Sequence, residues 1–194
     1  TKLASDKMFI ASNSYSGENS TSFSVVRYGN VMGSRGSVIP FFLQQKESKS
    51  FPITDNRMTR FMISLEQGVE LVWKAFDDML GGEIYIKKIP SMKITDLAIA
   101  INKNAKHEIV GIRPGEKLHE QMIAPEDAMH TYEYDDYYKI LPAIHQWSSD
   151  PIRIRNGIKV STDFEYTSNN NTHWMSVGEL QKWIEDNKDK IGKI

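Results

Sequence analysis

No cysteine occurs among the 194 residues, which excludes a disulfide framework and a thiolate metal site and fits a reducing compartment, read here as the cytoplasm. No apolar run approaches the roughly 18 residues of a transmembrane helix, and no signal-peptide pattern opens the chain. Neither sign of charge dominates: 24 Lys and Arg stand against 25 Asp and Glu, a net charge of −1. A balance so near neutrality gives no reason to expect nucleic acid or a membrane surface as partner. The histidines at 107, 119, 130, 145 and 173 form no i, i+4 pair, so no metal site is expected. Asp77-Asp78 and Asp135-Asp136 are adjacent and point apart in any regular element, which reads as solvation. A Gly-x-Gly-x-x-Gly turn and a Walker loop are both missing, as are internal repeats and low-complexity linkers. Asn19 and Asn170 match the glycosylation pattern, but without a secretion signal both read as chance. The chain starts with Thr1 inside a helical pattern, and is read as a fragment.

What is present is enough for a core: 40% of residues are hydrophobic, suiting one or two ordinary domains. Residues 1–16 carry Leu3, Ala4, Met8 and Ala11 on one helix face. Phe23 to Tyr28 reads as a strand buried on both faces, as in a parallel sheet, and a helix is expected over Val38 to Lys46. Arg57 to Ile63 reads as a short strand. Ser64 and Gln67 form a capping box that opens a helix to about Leu80, with Val69, Val72, Trp73, Phe76 and Met79 as its buried stripe. Gly81-Gly82 stops it, Glu83 to Lys87 is the next strand, and Thr95 is expected to cap a helix through Ile101. Glu108 to Ile112 reads as a strand, followed by a short helix through Leu118 and Met122. Residues 127–145 alternate like strands, and 150–174 are irregular but keep Phe164, Tyr166 and Trp174. A second capping box, Ser176 to Glu179, opens a last helix that buries Val177, Leu180, Trp183 and Ile184. Helices and strands alternate, which predicts an α/β architecture with some parallel pairing.

The chemistry concentrates around Val25 to Pro40. A β-branched run passes into a loop with Gly29, Gly33 and Gly36 and re-emerges as a helix start, with Ser37 placed to cap it. A strand feeding a Gly-rich loop and a helix N-terminus is a natural anion site. Arg35 adds positive charge, and Asn30 offers a donor and an acceptor. An ordinary βα turn accounts for the same glycines. Arg35, Arg60 and Arg113 each stand at the end of a strand-like run, and ligands of open α/β sheets lie outside the carboxyl ends of strands. Three such arginines suit a polyanion; three unrelated surface ion pairs are the alternative. Glu116 is placed to accept from a sugar diol, or simply to serve a helix first turn.

Four segments, taken together, carry a resemblance: residues 1–7 (TKLASDK), residues 26–37 (VRYGNVMGSRGS), residues 57–61 (RMTRF) and residues 112–117 (IRPGEK). With residues 88–93 (KIPSMK), Asp163 to Tyr166 and Asn169 to Asn171, they resemble the inverting UDP-N-acetylglucosamine 4,6-dehydratases. These are extended short-chain dehydrogenase/reductases of pseudaminic acid biosynthesis, a pathway of flagellin glycosylation. The resemblance implies the C-terminal part of a Rossmann-type doubly wound sheet plus a small α/β substrate-binding domain. It divides the chain into 1–63, the last elements of the NADP-binding domain interleaved with substrate-binding segments, and 64–194, mainly the substrate-binding domain. It implies that Lys2 is the lysine of a Tyr-x-x-x-Lys pair, holding the nicotinamide ribose and lowering the tyrosine pKa. Val31 would meet the nicotinamide end of NADP and Asn30 the sugar. Arg35, Gly36, Ser37, Val38, Arg60, Arg113 and Glu116 would grip UDP, and Asn171, Thr172, His173 and Trp174 would close over the substrate. The tyrosine, the Gly-rich cofactor loop and the acid/base pair of the family are not in these residues, so the chain by itself is expected to be inactive. A homo-oligomer, dimer or hexamer, is expected of the parent. A UDP-sugar 4-epimerase, a retaining dehydratase and a non-catalytic UDP-sugar-binding module are the alternatives.

Overall fold

The computed structural model describes residues 2–17 and 21–193. In chain order its elements are α1 (Lys2–Ser12), β1 (Val25–Arg27), β2 (Asn30–Val31), α2 (Val38–Gln44), β3 (Ser50–Ile53), β4 (Thr59–Ile63) and α3 (Leu65–Asp78). There follow β5 (Ile84–Lys87), β6 (Ser91–Lys93), α4 (Ile94–Ile101), β7 (Lys106–Ile109), β8 (Gln121–Ile123), α5 (Pro125–Ala128), β9 (Thr131–Glu133) and β10 (Tyr137–Ile140). A 3-10 turn at Ile144–Ser149 leads into α6 (Pro151–Ile154), β11 (Ile158–Lys159), β12 (Tyr166–Thr167) and α7 (Val177–Asp186). Parallel and antiparallel pairs coexist. The chain forms two compact units, each assembled from three stretches: Thr1–Tyr28, Glu66–Lys88 and Met122–Tyr166 in the first, Gly29–Leu65, Ile89–Gln121 and Thr167–Ile194 in the second.

The first unit is a sheet in the order β1-β5-β10-β9-β11, with β1 parallel to β5 and the other pairs antiparallel. Leu71, Ala75, Tyr85, Tyr132, Tyr134, Tyr137 and Leu141 form its core. Charge is buried here in paired form. The Glu83 carboxylate accepts from Ser24 Oγ at 2.8 Å, from Gly81 N–H at 2.8 Å and from the Arg153 guanidinium. Lys139 Nζ, 1% exposed, meets Asp78 Oδ2 at 2.7 Å, and Tyr85 donates to the same oxygen at 2.8 Å. Burial pushes the Lys139 amine down, and it pushes the Tyr85 hydroxyl well up. Burial pulls the Asp78 carboxyl upward too, but Lys139 and Tyr85 more than offset it and leave it below its ordinary value.

Two helices of this unit differ from the sequence expectation. α1 ends at Ser12 and leaves Leu3 and Met8 exposed; it is tied down by Asp6, whose carboxylate meets Arg27 Nε at 2.7 Å, and by Asn13, which bonds Phe23 backbone atoms. In α3 the residues against the core are Gly68, Leu71 and Ala75. Val69, Trp73 and Phe76, expected inside, are 47%, 65% and 63% exposed. The helix carries two apolar stripes, and periodicity alone favours the larger side chains.

The second unit has a three-stranded sheet in the order β2-β4-β6 and a parallel β3-β7 pair. α2, α4 and α7 pack around a core of Met32, Ile39, Phe42, Phe51, Ile53, Met58, Met62, Met92, Leu97 and Leu180. α4 begins at Ile94 after Lys93, and Thr95 does not cap it; the Ile94 N–H is already taken by the Met58 carbonyl at 3.1 Å. The Ser176–Glu179 capping box at α7 is present in full. The expected strand at 108–112 lies earlier, at Lys106–Ile109. Residues 118–120 form no helix, because their carbonyls serve other strands: Leu118 O accepts from Thr59 N–H and Glu120 O from Ser168 N–H.

Candidate functional site

Lys2 opens α1, but its side chain lies outside the described residues. Every other residue singled out by the sequence, from Asn30 through Trp174, belongs to the second unit. Gly29 enters that unit at a point where an added Cβ would stand 2.6 Å from Phe61 Cβ and from the Phe61 carbonyl oxygen. Only glycine lets the strands approach so closely. Asn30 and Val31, read from sequence as loop, form β2 and pair with Met62 and Ile63 of β4. Asn30 is exposed and Val31 half-buried.

The turn that follows places Arg35 and Gly36 in solvent. Ser37 occupies the N-cap position of α2 but makes no capping bond. The cause is local. A capping serine accepts from the N–H of the second or third helical residue, and the third here is Pro40, which has none. The Ser37 Oγ is left buried with no partner.

Arg60 lies within β4 rather than at a strand end. Its Nη1 donates to the Thr59 carbonyl at 2.7 Å and to the Leu118 carbonyl at 3.1 Å, and its Nη2 stands 3.9 Å from Glu116 Oε1. These contacts fix the plane of the guanidinium. Glu116 also closes the turn after β7: its Oε2 accepts from the Arg113 N–H at 3.2 Å, and its own N–H donates to the Arg113 carbonyl at 3.0 Å. Glu116 and Arg60 are thus brought together. Arg113 is exposed four residues beyond β7 and, like Arg35, has no carboxylate partner among the described residues. Arg57 differs, since a bidentate contact with Asp55 at 3.0 and 2.8 Å occupies it. That contact and the Arg57 N–H hold the Asp55 carboxyl down at about 2.

The 171–174 segment joins the same sheet. Phe61 pairs with Ser91 of β6, and Ser91 bridges Trp174. The Asn171 amide donates to the Ile89 carbonyl, to Ser91 Oγ and to the His173 carbonyl at 2.8, 3.1 and 2.9 Å. The Trp174 Nε1 donates to the Asn171 carbonyl at 2.6 Å. Asn171 and Trp174 therefore hold the segment's shape, while Thr172 and His173 are exposed.

Sequence reasoning missed a polar network beside Arg60. Thr59 Oγ1 is 2.8 Å from His119 Nδ1 and 2.6 Å from Ser168 Oγ, and Ser168 Oγ accepts from the Glu120 N–H at 2.9 Å. Glu120 Oε2 accepts from the Phe61 N–H at 2.8 Å. Burial, with the charges of Arg60 and Arg57, pulls the His119 imidazole below its ordinary value, and Asp55 opposes them weakly. The adjacency of His119 and Glu120 to the Arg113–Lys117 motif was the signal present in sequence; the pairings of Thr59 with His119 and Ser168, 60 and 109 residues away, were not.

The sequence profile of one family, described as polysaccharide biosynthesis protein, matches residues 1–142. This chain belongs to that family. Among its relatives is the UDP-N-acetylglucosamine 4,6-dehydratase (inverting) of Campylobacter jejuni, 56% identical over 93% of this chain and 56% of that protein. The UDP-glucose 4-epimerase of Rickettsia canadensis is 38% identical over 95% of the chain and 55% of its own length. The X-ray structure of Pen from Bacillus thuringiensis superposes with a TM-score of 0.81 at 31% identity, over 96% of this chain and 56% of that one. The chain thus spans just over half the length of these polysaccharide biosynthesis relatives, and its α/β fold is of the Rossmann type. Among the described residues no helix is long and apolar enough to cross a membrane, and no group of acidic and histidine side chains is arranged to hold a metal.

Proposed function

We propose that this chain supplies the UDP-sugar grip of an inverting UDP-N-acetylglucosamine 4,6-dehydratase. The observation that carries the reading is the 56% identity to the Campylobacter enzyme across 93% of the chain. The 4-epimerase relatives stand lower, at 38% identity and below.

Arg60 is the anchor for the pyrophosphate. Its guanidinium is only 13% exposed and already oriented by two carbonyls, so little ordering is left to do when a phosphate arrives. Arg35 and Arg113, exposed and without carboxylate partners, close on the anion from solvent. The unpaired Ser37 hydroxyl gains a hydrogen bond with Gly36 and Val38 beside it. Asn30 contacts the sugar, Glu116 accepts from the ribose, and the 171–174 segment covers the substrate.

The overall change in the sugar is oxidation at C4, loss of water across C5–C6, return of the hydride to C6 and reprotonation of C5 from the opposite face. A nicotinamide dinucleotide, NADP in this reading, supplies the hydride store when bound. These residues fit only its nicotinamide end: Val31 is half-buried, with its carbonyl engaged by the Ser34 N–H at 3.3 Å, Lys2 would hold the ribose, and no Gly-rich turn is present to cradle a pyrophosphate. The assignment of residues 1–63 to the cofactor-binding domain interleaved with substrate-binding segments, and of 64–194 mainly to substrate binding, belongs to the same proposal. So do a homo-oligomeric parent, a cytoplasmic setting and the supply of pseudaminic acid. Product analysis with a protein of the relatives' length tests it: a 4-keto-6-deoxy UDP-sugar is expected, and a 4-epimer alone would replace this reading with the epimerase one.

A further inference from the structure

The second unit contains a hydrogen-bond chain from the Glu120 N–H through Ser168 Oγ and Thr59 Oγ1 to His119 Nδ1, in which the direction of the two hydroxyl protons is set by the imidazole tautomer. Ser168 Oγ accepts from the Glu120 N–H, so its own proton is free to point at Thr59 Oγ1, 2.6 Å away. The Thr59 hydroxyl proton then points at His119 Nδ1, 2.8 Å away. In the neutral Nε2–H form each donor has one acceptor, and the chain ends on a bare imidazole nitrogen. Protonating Nδ1 reverses the two hydroxyls. His119 then donates to Thr59, Thr59 donates to Ser168, and the Ser168 proton has no acceptor among the described residues. Ser168 is fully buried and Thr59 is 3% exposed, so the stranded proton costs its desolvation.

The chain ends where the proposed UDP grip begins. Thr59 precedes Arg60 and gives it a carbonyl, while Leu118, which gives the other, precedes His119. We propose that His119, in its neutral Nε2–H form, is a positioning residue for the UDP-sugar site, clamping the 113–120 turn to β4 and so fixing Arg60. This rests on the reading of Arg60 and Glu116 as the grip. The charged groups that act on the imidazole are Arg60 of β4 and Arg57 and Asp55 of the preceding turn. Burial first, and then the two arginines, disfavour a positive imidazole, in keeping with the downward displacement of His119. Arg60 stays charged throughout, so acid weakens the grip by misplacing Arg60 and not by discharging it.

Titration calorimetry of the chain with UDP-N-acetylglucosamine at about pH 7.5 and about pH 5, on either side of the ordinary histidine value, tests this. The pyrophosphate of this ligand is esterified at both ends and binds no proton in that window. Wild type is expected to bind about tenfold more weakly at the lower pH, the change produced by one unit of linked pKa displacement. His119→Asn, whose Oδ1 takes the Nδ1 position without titrating, should bind like wild type at pH 7.5 and change less than about twofold; His119→Ala should bind weakly at both. An acid limb of equal size in His119→Asn, or unaltered affinity in His119→Ala, overturns the inference. Binding absent at every pH overturns the grip itself and the inference with it, which separates the two failures. Two-bond 15N–1H spectra of wild type need no variant: a bare Nδ1 on His119 is expected, and a protonated Nδ1 at pH 7.5 refutes the clamp.

Discussion

At the scale of single residues, a few positions carry more than their chemistry announces. Gly29 has no room for a side chain, so Gly29→Ala should cost about 1–3 kcal/mol of overpacking, read as a lower urea midpoint at unchanged slope. Glu83 and Arg153 form a buried pair at 1% and 7% exposure, and Arg153→Met leaves the carboxylate without its countercharge. A loss of about 3–5 kcal/mol is expected; a loss below about 1 kcal/mol would mean that the Ser24 and Gly81 donors suffice alone. Acid should act through His119. Its folded-state value lies below the ordinary one, so the unfolded chain takes up the proton first as pH falls through about 6.5. Stability is therefore unaffected by this group above that pH and declines below it, and His119→Asn should flatten the decline. Arg60 and Glu116 were legible as candidates through the resemblance carried by RMTRF and IRPGEK, whereas the strand-end placement first read for Arg60 does not hold, since it lies within β4. The Thr59–His119–Ser168 network was not legible, since no local pattern joins positions so far apart in the chain.

At the scale of elements, α3 shows where periodicity misleads. Leu71 and Ala75 face the core, whereas the rings of Trp73 and Phe76 lie exposed and tilted against each other with centroids 6.0 Å apart. Leu71→Ala should cost about 2–5 kcal/mol, while Trp73→Ser with Phe76→Ser should leave the urea midpoint nearly unchanged; the reverse ranking would restore the stripe first read from the sequence. Caps repeat the lesson. The Ser176–Glu179 box was readable because both partners sit three residues apart. Pro40 removes one of the two donors open to a Ser37 cap, and α4 starts at Ile94, two residues earlier than a Thr95 cap would set it, with the Ile94 N–H held by the Met58 carbonyl. Residues 118–120 look helical and form no helix, because Thr59 and Ser168, distant in sequence, claim the Leu118 and Glu120 carbonyls.

At the scale of the whole molecule, the alternation of helices and strands was enough to give the α/β class. The division into two interleaved units was not readable, because the chain passes between them at points such as Tyr28-Gly29 and Lys88-Ile89 that carry no linker composition. The grouping that follows is functional: every residue proposed to hold the UDP-sugar, from Asn30 to Trp174, falls in the second unit. Backbone amide shifts induced by UDP-N-acetylglucosamine should therefore concentrate in 29–65, 89–121 and 167–193. Within that grip, Arg113→Ala should weaken binding by about 1.5–3 kcal/mol, the worth of a charge-assisted hydrogen bond. The most direct test of the account is the product formed from UDP-N-acetylglucosamine in heavy water by a protein of the relatives' length containing this chain. The account predicts a 4-keto-6-deoxy UDP-sugar that has lost one water and carries deuterium at an inverted C5. A 4-epimer with no loss of water, or a 4-keto-6-deoxy product with C5 unchanged, would contradict it.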